Sequence, residues 1–272
     1  MGVMIRYLRT ICTAGAFVAF YFGAAILSWV WLPIVTRHCG SRADRALRSQ
    51  ALVRRAFVLF HDYMRVSRLI QFDPRRVDLH LPTTPCVVVA NHPTLVDVTA
   101  VIAAGGPMCT VVKPDLSASF AFGRLLRHCW HIETPTETVI GTSPVVEEAI
   151  ARLDAGLHVL IFPEGTRSPE GGLRRFRSGA FEIAKRANVP VVPLFLRCEP
   201  PMLSKMAPWH RTPETIPCLT VTRLSTLDPA AWPDATTMAA DVRATYTQLA
   251  CAGVQLDGQR TDNLLADGVA RG

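Results

Sequence analysis

Two short segments of this 272-residue chain carry residue types that can do chemistry together. Asn91-His92-Pro93-Thr94-Leu95-Val96-Asp97 offers an imidazole and a carboxylate five positions apart. Phe162-Pro163-Glu164-Gly165-Thr166-Arg167-Ser168 offers a second carboxylate, a glycine and a guanidinium. A histidine can take a proton from a hydroxyl near neutral pH, and an adjacent carboxylate fixes its tautomer and stabilises the imidazolium. Asp97 is the carboxylate for His92. Glu164 can accept a hydrogen bond from a substrate hydroxyl, Arg167 presents a planar fork to an anionic group, and Gly165 lets backbone approach a ligand closely.

The elements that must position these groups follow from the spacing. Residues five apart do not share a regular helix face, so pairing requires His92 in a loop and Asp97 in the first turn of the next helix. Pro93 and Thr94 suit a helix start there. Each segment follows a short apolar run, Cys86–Ala90 and Leu157–Ile161, rich enough in β-branched residues to be a buried strand. Both motifs then sit at strand C-terminal ends, where open α/β sheets gather ligands. Taken singly, a His-Asp spacing or a Glu-Gly-Thr-Arg turn is a weak signal, because such strings are ordinary in turns. Their order after two buried strands gives the pair its force.

The two segments resemble the NHxxxxD and FPEGTRS motifs of the lysophospholipid acyltransferase family, 1-acylglycerol-3-phosphate acyltransferase type. Lys113 after Met108–Val112 is similar to that family's strand-terminal lysine, with Asp115 where that family usually has an acid. Phe176–Phe181 resembles the basic-x-Gly-x-Phe segment, and Val189–Leu194 the proline-rich fourth block. The resemblance covers about residues 77 to 225. It implies that His92 is the general base and Asp97 its orienting partner. Substrate binding falls to Asn91, Lys113, Glu164, Gly165, Thr166 and Arg167. The acyl group would come from acyl-CoA or acyl-ACP as co-substrate and go to a free hydroxyl of a lysolipid, 1-acylglycerol 3-phosphate first, with no other cofactor and no metal. One departure stands out: where phosphate-acceptor members carry an apolar pair followed by Asp and Arg, this chain reads Trp130-His131-Ile132-Glu133-Thr134. Thr134 brings no charge. Arg174, Arg175 and Arg177 are candidates to replace it, though three arginines in one loop also suit a solvated or membrane-facing surface. The departure leaves two other readings: an acceptor without glycerol phosphate, such as a lyso-aminolipid or polyene lipid, and a catalytically silent lipid-binding protein.

Composition points to a membrane. Hydrophobic residues make up 49% of the chain and mean hydropathy is +0.23, rich for a purely soluble enzyme. Ile11 to Val35 carries no charge and would reach about 37 Å as a helix, more than the ~30 Å hydrocarbon core. It can span a membrane or enter and return. A cleaved signal peptide fits less well, because the run exceeds the ~7–15 residues of such a segment and Trp29, Trp31 and Pro33 suit an interface anchor. Arg37, Arg42, Arg45, Arg48, Arg54 and Arg55 follow the run, whereas Arg6 and Arg9 precede it. That asymmetry predicts a catalytic body on the cytoplasmic side of the inner membrane. Ala51 to Ile70 has the pattern of a basic amphipathic helix, either lying on anionic lipid or packing on the core. The net charge of +7 fits an anionic membrane surface, and no aromatic-basic interleaving or zinc-finger spacing points to nucleic acid.

The remaining pattern predicts an α/β fold, a mainly parallel central sheet covered by helices with an N-terminal membrane-anchoring helical segment. Strands are expected at Val77–Leu81, Cys86–Ala90, Met108–Val112, Val191–Arg197 and Leu219–Leu224. Helices are expected at Val98–Ala104, Phe120–His128, Ser143–Ala155, Gly179–Ala187 and Asp234–Cys251. The proline-rich Glu199–Pro217 reads as an ordered surface loop. Residues 1–70 form the membrane-associated region, 71–257 the α/β domain and 258–272 a flexible tail. The eight cysteines never form a CxxC pair, so they read as reduced thiols, and His128-Cys129-Trp130-His131 has no second cluster to complete a zinc site.

Overall fold

A computed structural model describes residues 2–134, 143–205 and 207–252. The chain opens with helix α1 (Gly2–Ile26), passes through one turn of π-helix (Leu27–Trp31) into α2 (Leu32–Thr36), and folds back as α3 (Arg42–Val66). Ser41 starts α3 by accepting the Asp44 backbone N–H at 3.0 Å, an ordinary N-cap. Strands β1 (Val87–Ala90), β2 (Met108–Val112), β3 (Ile132–Glu133) and β4 (His158–Ile161) alternate with helices α4 (Asp97–Gly105), α5 (Pro114–Ser117), α6 (Gly123–His128) and α7 (Ser143–Asp154). Helix α8 (Gly179–Ala187), strands β5 (Val191–Glu199) and β6 (Cys218–Arg223), and helix α9 (Ala235–Ala252) complete the order.

The six strands form one sheet in the order β3-β2-β4-β1-β5-β6, parallel except for β6. Both faces are covered, which explains why β1 and β4 read as continuous apolar runs rather than alternating ones. Val87 and Val89 face α7, α8 and α9, whereas Val88 and Ala90 face α4 and Leu79. Tyr246 of α9 is fully buried and donates its hydroxyl to the Val89 carbonyl at 2.9 Å, tying the C-terminal helix to the central strand.

Three sequence expectations need correction. Val77–Leu81 forms no strand and turns at His80, where φ is +35°; the sheet edges belong to β3 and β6, and its alternation reflects one-sided packing, with Leu79 and Leu81 against Gly105. The expected helix at Phe120–His128 starts only at Gly123, where a Cβ would come within 2.2 Å of the Ser117 carbonyl, and a short helix precedes it. The amphipathic stretch begins at Arg42 and ends at Val66. It packs Ala46, Val53, His61 and Met64 inward, leaving Leu59 and Val66 exposed. Residues 258–272, expected to form a flexible tail, lie outside the described residues.

The apolar N-terminal run is helical from Tyr7 to Thr36, 30 residues whose most apolar 18-residue stretch has mean hydropathy 1.9 and is 17% buried. It lies along the body. Arg9 donates to the Pro213 carbonyl at 2.6 Å, Tyr63 donates to the Cys12 carbonyl at 3.0 Å, and Ser28 donates to the Ala121 carbonyl at 2.5 Å. Its outward face carries Ile11, Val18, Phe22, Trp29, Trp31 and Ile34.

Candidate active site

β1 and β4 are parallel neighbours with Val87 opposite Val159 and Val89 opposite Ile161. Continuing that offset beyond the strand ends brings His92 opposite Glu164. The two are bonded: the His92 backbone N–H donates to Glu164 Oε1 at 3.0 Å. The His92 carbonyl accepts the Ser168 N–H at 2.7 Å, so both backbone polar groups of the histidine are held by the facing loop. Ser168 Oγ donates to the same Glu164 oxygen at 2.6 Å, and the Arg174 N–H donates to Oε2 at 2.8 Å. Buried and bound by three donors, Glu164 acts in this structure as a clamp between loops.

The imidazole is oriented from below. His92 Nδ1 lies 2.8 Å from Asp97 Oδ2, and Asp97 also accepts the Thr94 N–H at 2.7 Å and the Thr94 hydroxyl at 2.5 Å. Asp97 is fully buried while the His92 side chain keeps 18% of its surface exposed. The pairing places the proton on Nδ1, leaving the Nε2 lone pair without a protein partner among the described residues and free to act as a base. Burial pushes the Asp97 carboxyl up, opposed by the hydrogen bonds from His92 and Thr94. An imidazolium formed beside it relieves that cost. The Phe162 ring packs 4.5 Å from the imidazole, centroid to centroid.

The other expected site residues take different places. Asn91 is buried, with Nδ2 donating to the Leu196 carbonyl at 2.8 Å and Oδ1 accepting the Leu196 N–H at 2.7 Å, extending the β1–β5 pairing by one side chain. Arg167 Nη1 donates to the carbonyls of Leu203 and Ser204 at 2.8 and 3.1 Å. Gly165 adopts φ +69°, closing a turn through its N–H to the Phe162 carbonyl at 3.0 Å. Thr166 is half-buried in that turn, and Lys113 is exposed at the C-terminal end of β2. Thr134 caps its own neighbourhood, with N–H and hydroxyl both directed to the Val112 carbonyl.

An apolar cavity adjoins the histidine loop. Leu95, Val96 and Thr99 form one wall, α1 and α3 supply Phe17 and Met64, and Met202 and Leu203 close it from the proline-rich loop. Thr99 carries a contact that sequence reasoning missed. Its hydroxyl donates to the Val96 carbonyl at 2.7 Å and accepts from Nε2 of the buried His61 at 3.0 Å. This links α3 to the loop holding Asp97. Thr94 and Ser168 also escaped assignment, although both lie inside the motifs. Among the described residues no group of three or more His, Cys, Asp or Glu side chains could hold a metal ion. His131 Nδ1 instead accepts the Thr110 N–H at 2.9 Å, and its burial lowers its pKa to about 4.

A family model described as Acyltransferase matches residues 57–197, which include both motif loops and run through most of β5. The chain is 31% identical over 142 residues to human 1-acyl-sn-glycerol-3-phosphate acyltransferase beta, covering 51% of this chain and 49% of that protein. It is 30% identical over 113 residues to the chloroplastic 1-acyl-sn-glycerol-3-phosphate acyltransferase BAT2 of Brassica napus, covering 42% of this chain and 33% of that one. The chain therefore spans a third to a half of the length of these curated relatives. The crystal structure of the 1-acyl-sn-glycerophosphate acyltransferase PlsC from Thermotoga maritima is similar in fold, with a TM-score of 0.67 at 18% identity. The match covers 94% of this chain and all of that one.

Proposed function

This chain belongs to the Acyltransferase family, and on that premise we propose that it moves a fatty acyl group from a thioester to the free hydroxyl of a lysolipid, with 1-acylglycerol 3-phosphate as acceptor. The observation that carries the reading is the His92–Asp97 pair, tautomer fixed and Nε2 free, on the loop whose Leu95 and Val96 line an apolar cavity. His92 Nε2 takes the acceptor hydroxyl proton as that oxygen attacks the thioester carbonyl. Collapse of the tetrahedral intermediate breaks the C–S bond, and the imidazolium returns the proton to the departing thiolate. Asp97 steadies the imidazolium throughout. No acyl-enzyme is required. Relatives named for the 1-acylglycerol-3-phosphate reaction support the acceptor. The donor carrier is acyl-CoA or acyl-ACP, and the cavity beside Leu95 and Val96 takes acyl chain.

Membrane association belongs to the same reading. α1 and the π-helical turn after it carry an exposed apolar face ending in Trp29 and Trp31 while remaining bonded to the body near both ends. A helix held this way lies in the interface with the body beside it, which brings lysolipid to His92 without leaving the bilayer.

A second reading, acylation of a lipid without a phosphate, is favoured by Thr134, which puts no charge where phosphate-acceptor members have arginine. The experiment is acyl transfer by membranes carrying the protein, with a labelled thioester and both lysophosphatidate and monoacylglycerol as acceptors. Transfer to lysophosphatidate that vanishes in His92→Ala is the expected result. Transfer only to monoacylglycerol would replace the first reading with the second, and transfer by His92→Ala at the wild-type rate would overturn the mechanism.

A further inference from the structure

We propose that Arg177 is the group that receives a phosphate monoester at this site, a role that rests on the acyl-transfer reading above. Three observations lead there. The first is placement: the Arg177 N–H donates to the Pro163 carbonyl at 2.9 Å, so its backbone is fixed to the turn that carries Glu164. The second is the surface it covers. A Cβ built on Gly165 would lie 3.3 Å from Arg177 Cζ and 3.4 Å from Nε, so the bare glycine forms the floor on which this guanidinium rests. The third is availability. Arg167 has Nη1 on the Leu203 and Ser204 carbonyls, and Arg174 has Nε on the Arg167 carbonyl at 3.0 Å. The Arg177 guanidinium has no hydrogen bond or ion pair among the described residues, and it is exposed.

A guanidinium that is anchored through its own backbone, laid flat on a glycine and left without a carboxylate is arranged to bind an anion in bidentate fashion. Thr134 supplies no charge, its hydroxyl being directed to the Val112 carbonyl, so the headgroup charge has to be met elsewhere in the site. Gly165 then has a second duty besides its φ of +69°: a Cβ there would press on the guanidinium at 3.3 Å. The ligand chemistry is a phosphate monoester dianion, which either the acceptor's glycerol phosphate or the 3′-phosphate of coenzyme A can offer.

The test compares wild type with Arg177→Gln and Arg177→Lys, using acyl-N-acetylcysteamine as a phosphate-free donor and lysophosphatidate or monoacylglycerol as acceptor. Acyl-CoA with monoacylglycerol forms the complementary arm. Arg177→Gln is expected to raise KM for lysophosphatidate roughly 10- to 100-fold with kcat within about 3-fold, with partial recovery in Arg177→Lys. Turnover of monoacylglycerol with the phosphate-free donor stays unchanged. A KM rise confined to acyl-CoA would assign the phosphate to the donor instead. An unchanged KM for every phosphate-bearing substrate, or an equal loss on the phosphate-free pair, would overturn the proposal. Should wild type turn over neither acceptor, the acyl-transfer reading fails. Calorimetric binding of lysophosphatidate against monoacylglycerol then still decides the role of Arg177, since equal affinity in wild type and Arg177→Gln rejects it. Because the side chain is exposed, the thermal midpoint serves as the folding control and is expected not to move.

Discussion

The backbone N–H of His92 and the Glu164 carboxylate are 3.0 Å apart, and the two residues sit at the same offset that pairs β1 with β4. A general base in a loop is useful only if the loop is rigid, and this bond, with the Ser168 N–H on the His92 carbonyl, makes it so. Glu164→Gln should therefore act through position. The amide nitrogen can face only donors, so one of the three bonds becomes a repulsion, costing about 1–3 kcal/mol. The expected outcome is a fall in kcat of about 10- to 100-fold with a smaller change in the lysolipid KM, together with a lower thermal midpoint.

His92→Ala should abolish transfer while leaving the thermal midpoint within a few degrees, because the imidazole is partly exposed and, among the described residues, bonded only to Asp97. Asp97→Asn keeps the shape but can turn its amide toward Nδ1 and favour the wrong tautomer. A loss of about 10²–10⁴-fold in kcat is expected. Steady-state kinetics on the two variants, alongside near-UV circular dichroism, checks both statements.

Stability should weaken on mild acidification through His61. Burial drives its pKa down to about 4, against the opposing effects of Asp62 and Thr99, and its Nδ1 has no hydrogen-bond partner among the described residues. The folded state holds the ring neutral while the unfolded chain binds a proton near pH 6.5. Stability from this group is thus complete above about pH 6.5 and is lost as pH falls toward 4, on the order of 3 kcal/mol at the lower end. Urea unfolding at pH 7 and pH 5 should show a lower midpoint at pH 5, and His61→Phe should flatten part of that difference.

Tyr246→Phe removes one oxygen and leaves the Val89 carbonyl without its donor in a fully buried setting. A loss of about 1–3 kcal/mol is expected, read as a shift in the urea midpoint. Because Val89 lies in the strand that leads to His92, kcat should change by less than about 3-fold if the strand keeps its register.

The pairing of His92 with Asp97 was legible in the sequence because a local spacing and a helix start fix it. The parallel sheet was legible because β1 and β4 are short, largely apolar runs rich in β-branched residues. Glu164 shows where such reading stops: its residue type signals a carboxylate at the site, but only the register between strands reveals that three protein donors surround it. Asn91 is similar, since its partner Leu196 lies 105 residues away. Val77–Leu81 misled because alternation records one-sided burial whether or not a ladder forms. The His61–Thr99 contact joins two helices through a buried polar pair, and no periodicity marks it.

The register of β1 on β4 has a further consequence. His92 and Glu164 meet although 72 positions separate them, because the pairing of β1 with β4 sets their distance. Helices α4 to α7 and strands β2 and β3 lie along a detour that leaves one strand end and rejoins its neighbour. Insertions or deletions along that detour alter the numbering of the two loops without moving one against the other. The reacting centre is thereby insulated from length change, and the intervening surface is open to remodelling for different lipids while the proton-transfer geometry stays constant.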